Sequence, residues 1–341
     1  MLSAAQGLAI GHHVRIPFLS DFAAYARFLV AIPLLILAEG LIEPHITGVA
    51  AHFIHSRLVP ERQYPAYEAA VDRALRLCDA TLAEVVLLGL AGVSVVVARH
   101  EFPLHVSTWL SLVSDSVHIP TWAGWWYLVV GVGLFQFLRW RWLWRLGLWY
   151  GLLWRISQLD LQLIPTHPDR AAGLGFVGDA QRFFWIILVA LSATTAGVLG
   201  NEIVFGRVPL TSYTIAIAGY VVVVLLVFLG PLLIFMPQMI RAKIKSVHDY
   251  GTFAVMHNQM FDGKWVQGDY PTSKPVLGTP DISSLADLGN AYEVLDRMRP
   301  VPFDPADALI LVLAALIPLA PLLLTVMPLG QWLELAGKVL V

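Results

Sequence analysis

The stretch at 122–160, WAGWWYLVVGVGLFQFLRWRWLWRLGLWYGLLWRISQLD, decides how the chain is read. Its first half, 122–138, is apolar and opens on Trp122, Trp125, Trp126 and Tyr127, rings that favour the headgroup level of a bilayer. Its second half keeps the apolar pattern but carries Arg139, Arg141, Arg145 and Arg155. Either this half stays on the side where the first half ends, as the same helix or a second one on or just below the interface, or it is a further crossing with Arg145 buried. The first alternative makes the charge of the whole chain coherent. Apolar runs lie at about 28–43, 81–98, 122–138, 183–200, 213–236 and 308–328, and the gaps 44–80, 139–182 and 238–305 hold 17 of the 22 Lys and Arg residues. Basic residues concentrated in alternate gaps mark the cytoplasmic side. A crossing at 139–160 would destroy that asymmetry.

Composition agrees. The 341 residues are 57% hydrophobic and 13% charged, against about 25% charged in an ordinary soluble domain. Runs of about 20 apolar residues span the roughly 30 Å hydrocarbon core as helices, and backbone amides in lipid must bond within their own helix. The expected fold is therefore all-α: a polytopic transmembrane helical bundle of about six spans, with helices extending into the cytoplasm. The alternating ten-residue pattern of a membrane barrel does not appear. Cys78 is the single cysteine, so neither a disulfide nor a cysteine-based metal centre forms within one subunit. Residues 1–26 lack the clean apolar core of a signal peptide. With the N-terminus placed outside and no span leading to it, we expect a first helix before the numbered chain, or a tail lying on the outer interface.

Three parts follow: 1–238, five spans with cytoplasmic extensions; 239–303, amphipathic helices and a linker; 304–341, the last span and an outer-face tail. One helix is expected from about 64 to 99, unbroken, because the amphipathic pattern of 67–79 runs directly into the apolar 81–98. The loop IPTHPDRAAGLGFVGDAQR, with two prolines and three glycines, is expected to be built from turns. In 284–299, Ser284 and Asp287 fit a capping box, and Leu285, Leu288, Tyr292 and Leu295 form a helical stripe.

Candidate functional residues fall into four groups. Glu39 and Glu84 are acids at one expected depth inside spans. Intramembrane acids face a cavity or a partner, and two at one level would line a cation path in an oligomer. His167, Asp169 and Arg170 sit on the THPDR turn and are expected to organise that loop. Arg139, Trp140, Arg141, Trp142, Trp144 and Arg145 form an interfacial belt expected to anchor on anionic lipid headgroups. His45, His52 and His55 share a helical face beside Glu39 and Glu43, a donor set suited to a divalent metal. The outer group His100, Glu101, His105, Asp115 and His118 is read as solvated.

The segments LDLQLIPTHPDRAAGLGF (159–176) and LGTPDISSLADLGNAYEVLDRMRPVPF (277–303), with FLSDFAAYARFLVAIPLLILAE (18–39) and the basic stretch after Pro237, resemble a family of uncharacterised bacterial polytopic inner-membrane proteins. The resemblance implies a bacterial inner-membrane location and transfers no catalytic residue. The leading functional expectation is an oligomeric ion channel or transporter. The alternatives are a metal- or haem-dependent membrane enzyme, and a non-catalytic subunit or assembly factor. No cofactor is expected. Expected partners are the bilayer, its anionic headgroups and further copies of the chain, and no nucleic acid.

Overall fold

The structure, a computed structural model, describes residues 3, 6–9, 14, 16–100, 108–114, 117–267 and 280–325. Eight helical elements follow in chain order: α1 Phe22–His55, α2 Tyr64–Cys78, α3 Thr81–His100, α4 over 122–156, α5 Phe176–Gly206, α6 Leu210–Trp265, α7 Pro280–Asp296 and α8 Pro305–Thr325. A two-stranded antiparallel hairpin, β1 Ser111–Ser114 with β2 Val117–Pro120, pairs Leu112 with Ile119. Four helices, α1, α5, α6 and α8, are long and apolar enough to cross a membrane, and the bent pair α2–α3 makes a fifth. Tryptophan and arginine dilute the apolar run of α4, the third span of the sequence reading. The chain is an all-α helical membrane bundle.

Several helices are longer than their apolar runs. α1 starts on Asp21, whose carboxylate accepts the Ala24 amide at 3.1 Å, and runs through Pro33 and Pro44 to His55. Pro33 follows a π-helical turn at Ala26–Ala31; the wider turn accommodates the missing donor and ring bulk of proline. α4 is continuous from 122 to 156, so 139–156 prolongs the helix rather than forming a second one. α6 passes Pro231 and Pro237 by a 3-10 stretch, Gly230–Phe235, and the boundary expected at 238 falls inside it. The expected unbroken 64–99 helix is corrected: α2 and α3 meet at a 49° bend around Asp79 and Ala80. The capping box expected at Ser284 is corrected too. α7 begins at Pro280, and the box forms instead at Asp304 and Asp307, heading α8. The expected outer tail, most of the 267–281 linker, Glu101, His105 and Asp115, and the side chains of His100 and His118 lie outside the described residues.

α5 is central: it packs on α1 and α8, while α4 packs on α3, α2 and α1. The tightest packing lies at the end holding the 56–63 turn and the 157–175 loop, here termed the basic end. Phe53, Leu58, Leu153, Ile156, Leu174, Phe235 and Met239 are fully buried there. Leu82, Val85, Leu88 and Val93 on α3, and Ile215, Val222 and Leu226 on α6, are exposed, as faces against lipid must be. The α1–α5 crossing requires the absence of a side chain at Gly197: a Cβ there would lie 2.8 Å from Ala23 Cα and Phe22 O. Gly219 faces open space. Gly197→Ala is therefore expected to cost about 1–3 kcal/mol by overpacking and to lower the thermal midpoint in detergent. Gly219→Ala should be neutral or gain about 0.5–1 kcal/mol of helix propensity.

Candidate functional site

Arg141 and Arg145 are one helical turn apart on α4, so both point to the same face. Both donate to Oε1 of Glu39 on α1, at 3.1 and 2.6 Å. Glu39 is thus shared by two guanidinium groups and does not meet Glu84. Glu84 is exposed in the first turn of α3, and α3 packs on α4. Two further arginines lie in the same bundle. Arg27 of α1 donates to the Tyr127 hydroxyl and stacks 5.5 Å over the Tyr127 and Phe135 rings. Arg139 lies 5.5 Å over the Trp140 ring, within electrostatic reach of Arg27. The Nε atoms of Arg27 and Arg139 are buried and have no hydrogen-bond partner among the described residues.

Two cavities flank α4. One, about 260 Å³, opens between α1, α2 and α4, with Ile46, Val71, Leu148 and Phe184 in its walls and Arg145 inside. Glu43 and Asp79 also line it, and both are exposed. The other, about 170 Å³, lies between α1, α4, α5 and α6; its surface is wholly apolar, and Arg139 lines it with its aliphatic stem. Trp142 lines both. Its indole is buried and donates to Leu35 O at 2.8 Å.

That burial takes Trp142 out of the expected lipid-anchoring belt. Trp142 is core. Trp140 donates to Ser94 Oγ at 2.9 Å, and Trp144 to Leu77 O at 3.2 Å, a carbonyl left without a helical partner by the bend at Asp79. The belt fastens α4 to α1, α2 and α3. His45 lies with its ring 3.5 Å from that of Phe183, and His52 meets Phe176 edge-on at 4.4 Å. Among the described residues no three His, Cys, Asp or Glu side chains converge on a metal position.

THPDR folds into a knot around Asp169. Its Oδ1 accepts the amides of Ala171 at 2.8 Å and Gly173 at 3.2 Å, and its Oδ2 that of Gly175 at 2.9 Å. His167 Nδ1 lies 2.9 Å from Oδ1. Arg170 and Ala172 take positive φ, as does Gly173. Arg299, which follows α7, seals the knot from outside: its amide donates to Arg170 O at 2.7 Å and its guanidinium to Asp169 O at 2.9 Å. Nearby, buried Asp307 lies 3.8 Å from Arg182, and Gly178 packs against Pro302 O so closely that a Cβ would sit 2.5 Å from it. The sequence reading missed Asp304 and Asp307, whose signal is an acid pair ahead of an apolar run. Arg299 and Arg182 gave no such signal.

No family model, curated protein or solved structure matches this chain. Fold and composition define an integral membrane protein with arginines held inside its helical bundle.

Burial alone would raise the Asp169 carboxyl, but the amides of Ala171, Gly175 and Gly173, with His167, outweigh it and hold the group below the usual carboxylate range. With its folded pKa below the unfolded value of about 3.9, the ionised group contributes stability that is present above that value. The contribution is lost as pH falls through the folded pKa. Asp169→Asn is expected to cost about 1–3 kcal/mol near neutrality and to flatten the acid side of the thermal midpoint against pH. An unchanged acid limb would refute this role.

Proposed function

We propose that this chain is an inner-membrane permeation protein for small anions, channel- or transport-like, with its basic end in the cytoplasm. One observation carries the reading: α4 places Arg145 in the wall of one cavity and the stem of Arg139 in the wall of a second, apolar one, and Trp142 is their common wall. An arginine within the membrane is costly to leave without a partner. Such groups are tolerated where they pair, meet water or serve a passing ion. Between α1 and α4 the pairing is incomplete. Arg141 and Arg145 share one carboxylate, Glu39, Arg27 and Arg139 have no ion pair among the described residues, and the second acid of that stretch, Glu43, is exposed. The surplus is positive, so an anion complements it. Trp142, bonded to Leu35 O, holds the two cavities apart and acts as the gate.

A cation path on Glu39 and Glu84 has less support. Glu39 is already neutralised by Arg141 and Arg145, and Glu84 is exposed in the first turn of α3.

In liposomes the protein is expected to release chloride down a gradient. Arg139→Gln should slow release by about tenfold, equivalent to about 1.4 kcal/mol, and Trp142→Phe should speed it. Glu84→Ala should leave it unchanged. Potassium flux without anion flux, or an Arg139→Gln rate equal to that of the unaltered chain, overturns the proposal. Each variant is first checked for monodisperse elution.

A further inference from the structure

We propose that the cavity between α1, α2 and α4 binds a lipophilic ammonium compound, an apolar body carrying one positive end. The cavity is about 260 Å³, several times the roughly 30 Å³ share of one water. Its walls are mainly apolar and in part aromatic: Ile42, Val71, Trp142, Trp149, Leu152 and Phe184. Trp142, Trp149, Leu152 and Phe184 are buried, so the core holds this wall in place. The indole N–H groups are spent on other acceptors, Leu35 O for Trp142 and, at 3.1 Å, Gln181 Oε1 for Trp149. The Thr47 hydroxyl donates to Glu43 O at 2.9 Å. The walls therefore offer a guest rings and aliphatic groups. Small-molecule sites are built this way, mostly apolar with a few placed polar groups.

Charge then selects the guest. Glu43 and Asp79 line the same cavity, are exposed, and have no ion pair among the described residues. Arg145 lines it too, but its guanidinium is on Glu39 and lies 5.4 Å over the Trp142 ring. Three carboxylates, Glu39, Glu43 and Asp79, thus meet two guanidinium groups, those of Arg141 and Arg145, and one negative charge is left over. The positive surplus of the bundle belongs to Arg27 and Arg139, neither of which lines this cavity. Ionised carboxylates accept hydrogen bonds and donate none, whereas an ammonium has three donors and no acceptor. A cation also gains from an aromatic wall within about 6 Å of a ring centroid. A carboxylate head on the same body would meet Glu43 and Asp79 as like charges. An alcohol head would leave the excess charge in place. The proposal stands apart from the permeation reading, because it uses acids that reading leaves aside.

Cys78 lines the cavity and is the single cysteine of the chain, so the rate of its alkylation by N-ethylmaleimide reports a guest. The test alkylates the purified full chain in phosphatidylcholine nanodiscs with adamantyl amine, adamantyl alcohol or adamantyl carboxylate present, three probes with one apolar body and different heads. The amine should slow alkylation saturably, with its half-effect at a concentration at least about tenfold below that of the alcohol, a difference of about 1.4 kcal/mol. The carboxylate should be weaker still. Glu43→Gln combined with Asp79→Asn should erase the advantage of the amine over the alcohol. Glu68→Gln, which alters an exposed acid outside the cavity lining, should keep it. No saturable protection, equal protection by all three heads, or an advantage retained in the double variant overturns the proposal. If the double variant does not fold, the comparison of heads on the unaltered chain decides. Nanodiscs containing phosphatidylethanolamine separate two sources of the ammonium: a raised half-effect concentration for the amine makes the lipid headgroup the resident, and an unchanged one makes it a free amine. Absence of chloride release overturns the permeation reading and leaves this site standing.

Discussion

A guanidinium group cannot be left alone among lipid tails, and the arrangement of this bundle follows from that constraint. Glu39 accepts from Arg141 and Arg145 together, which fixes both the distance and the rotation of α1 relative to α4. Once those two helices are set, Trp142 is held in the seam, and α2 and α3 are clipped onto the outer side of α4 by Trp144 and Trp140. Two positive charges on one carboxylate leave a surplus, and Arg27 and Arg139 enlarge it. Of these groups Arg145 lines the cavity between α1, α2 and α4.

The knot around Asp169 is a second, independent fixed point. It uses backbone amides rather than opposite charges, and it occupies the turn that leads into α5, the most centrally packed helix. Arg299 reaches it from beyond α7, so the order of the last third of the chain is referred to this loop. Lys243 of α6 donates to Asp296 O and Met298 O at 2.7 and 2.8 Å, which ties α6 to the same place. The segments 159–176 and 280–303, far apart in sequence, are thereby one structural unit.

The helical character of the chain was legible because apolar runs and interleaved charge are local signals. Helix ends were less so. The extension of α1 to His55 crosses a proline and a polar stretch, and the packing of buried Phe53 against Tyr67 and Phe176 holds it. The bend between α2 and α3 was invisible, because Asp79 and Ala80 do not break a helical pattern. THPDR was readable as a turn from proline and aspartate chemistry, yet its seal comes from a residue 130 positions away. The placement of Trp142 was hidden for the same reason. A ring next to arginine suits an interface equally well whether its N–H meets a headgroup or another helix, and composition does not record which. Glu39 was singled out as an acid inside a span; its partners lay in a belt that had been given a different purpose.

The 30 residues of α6 from Met236 to Trp265 form one unbroken rod, about 45 Å long at 1.5 Å per residue. Its only softened stretch is the 3-10 turn just before it, and its side is pinned near that end by Lys243. A rod held close to its fulcrum magnifies small rotations. A tilt of a few degrees at the 3-10 turn becomes a sideways travel of several ångströms at Trp265, by simple leverage on that length. Any movement of the crossing half is therefore broadcast, enlarged, to the far tip of the molecule.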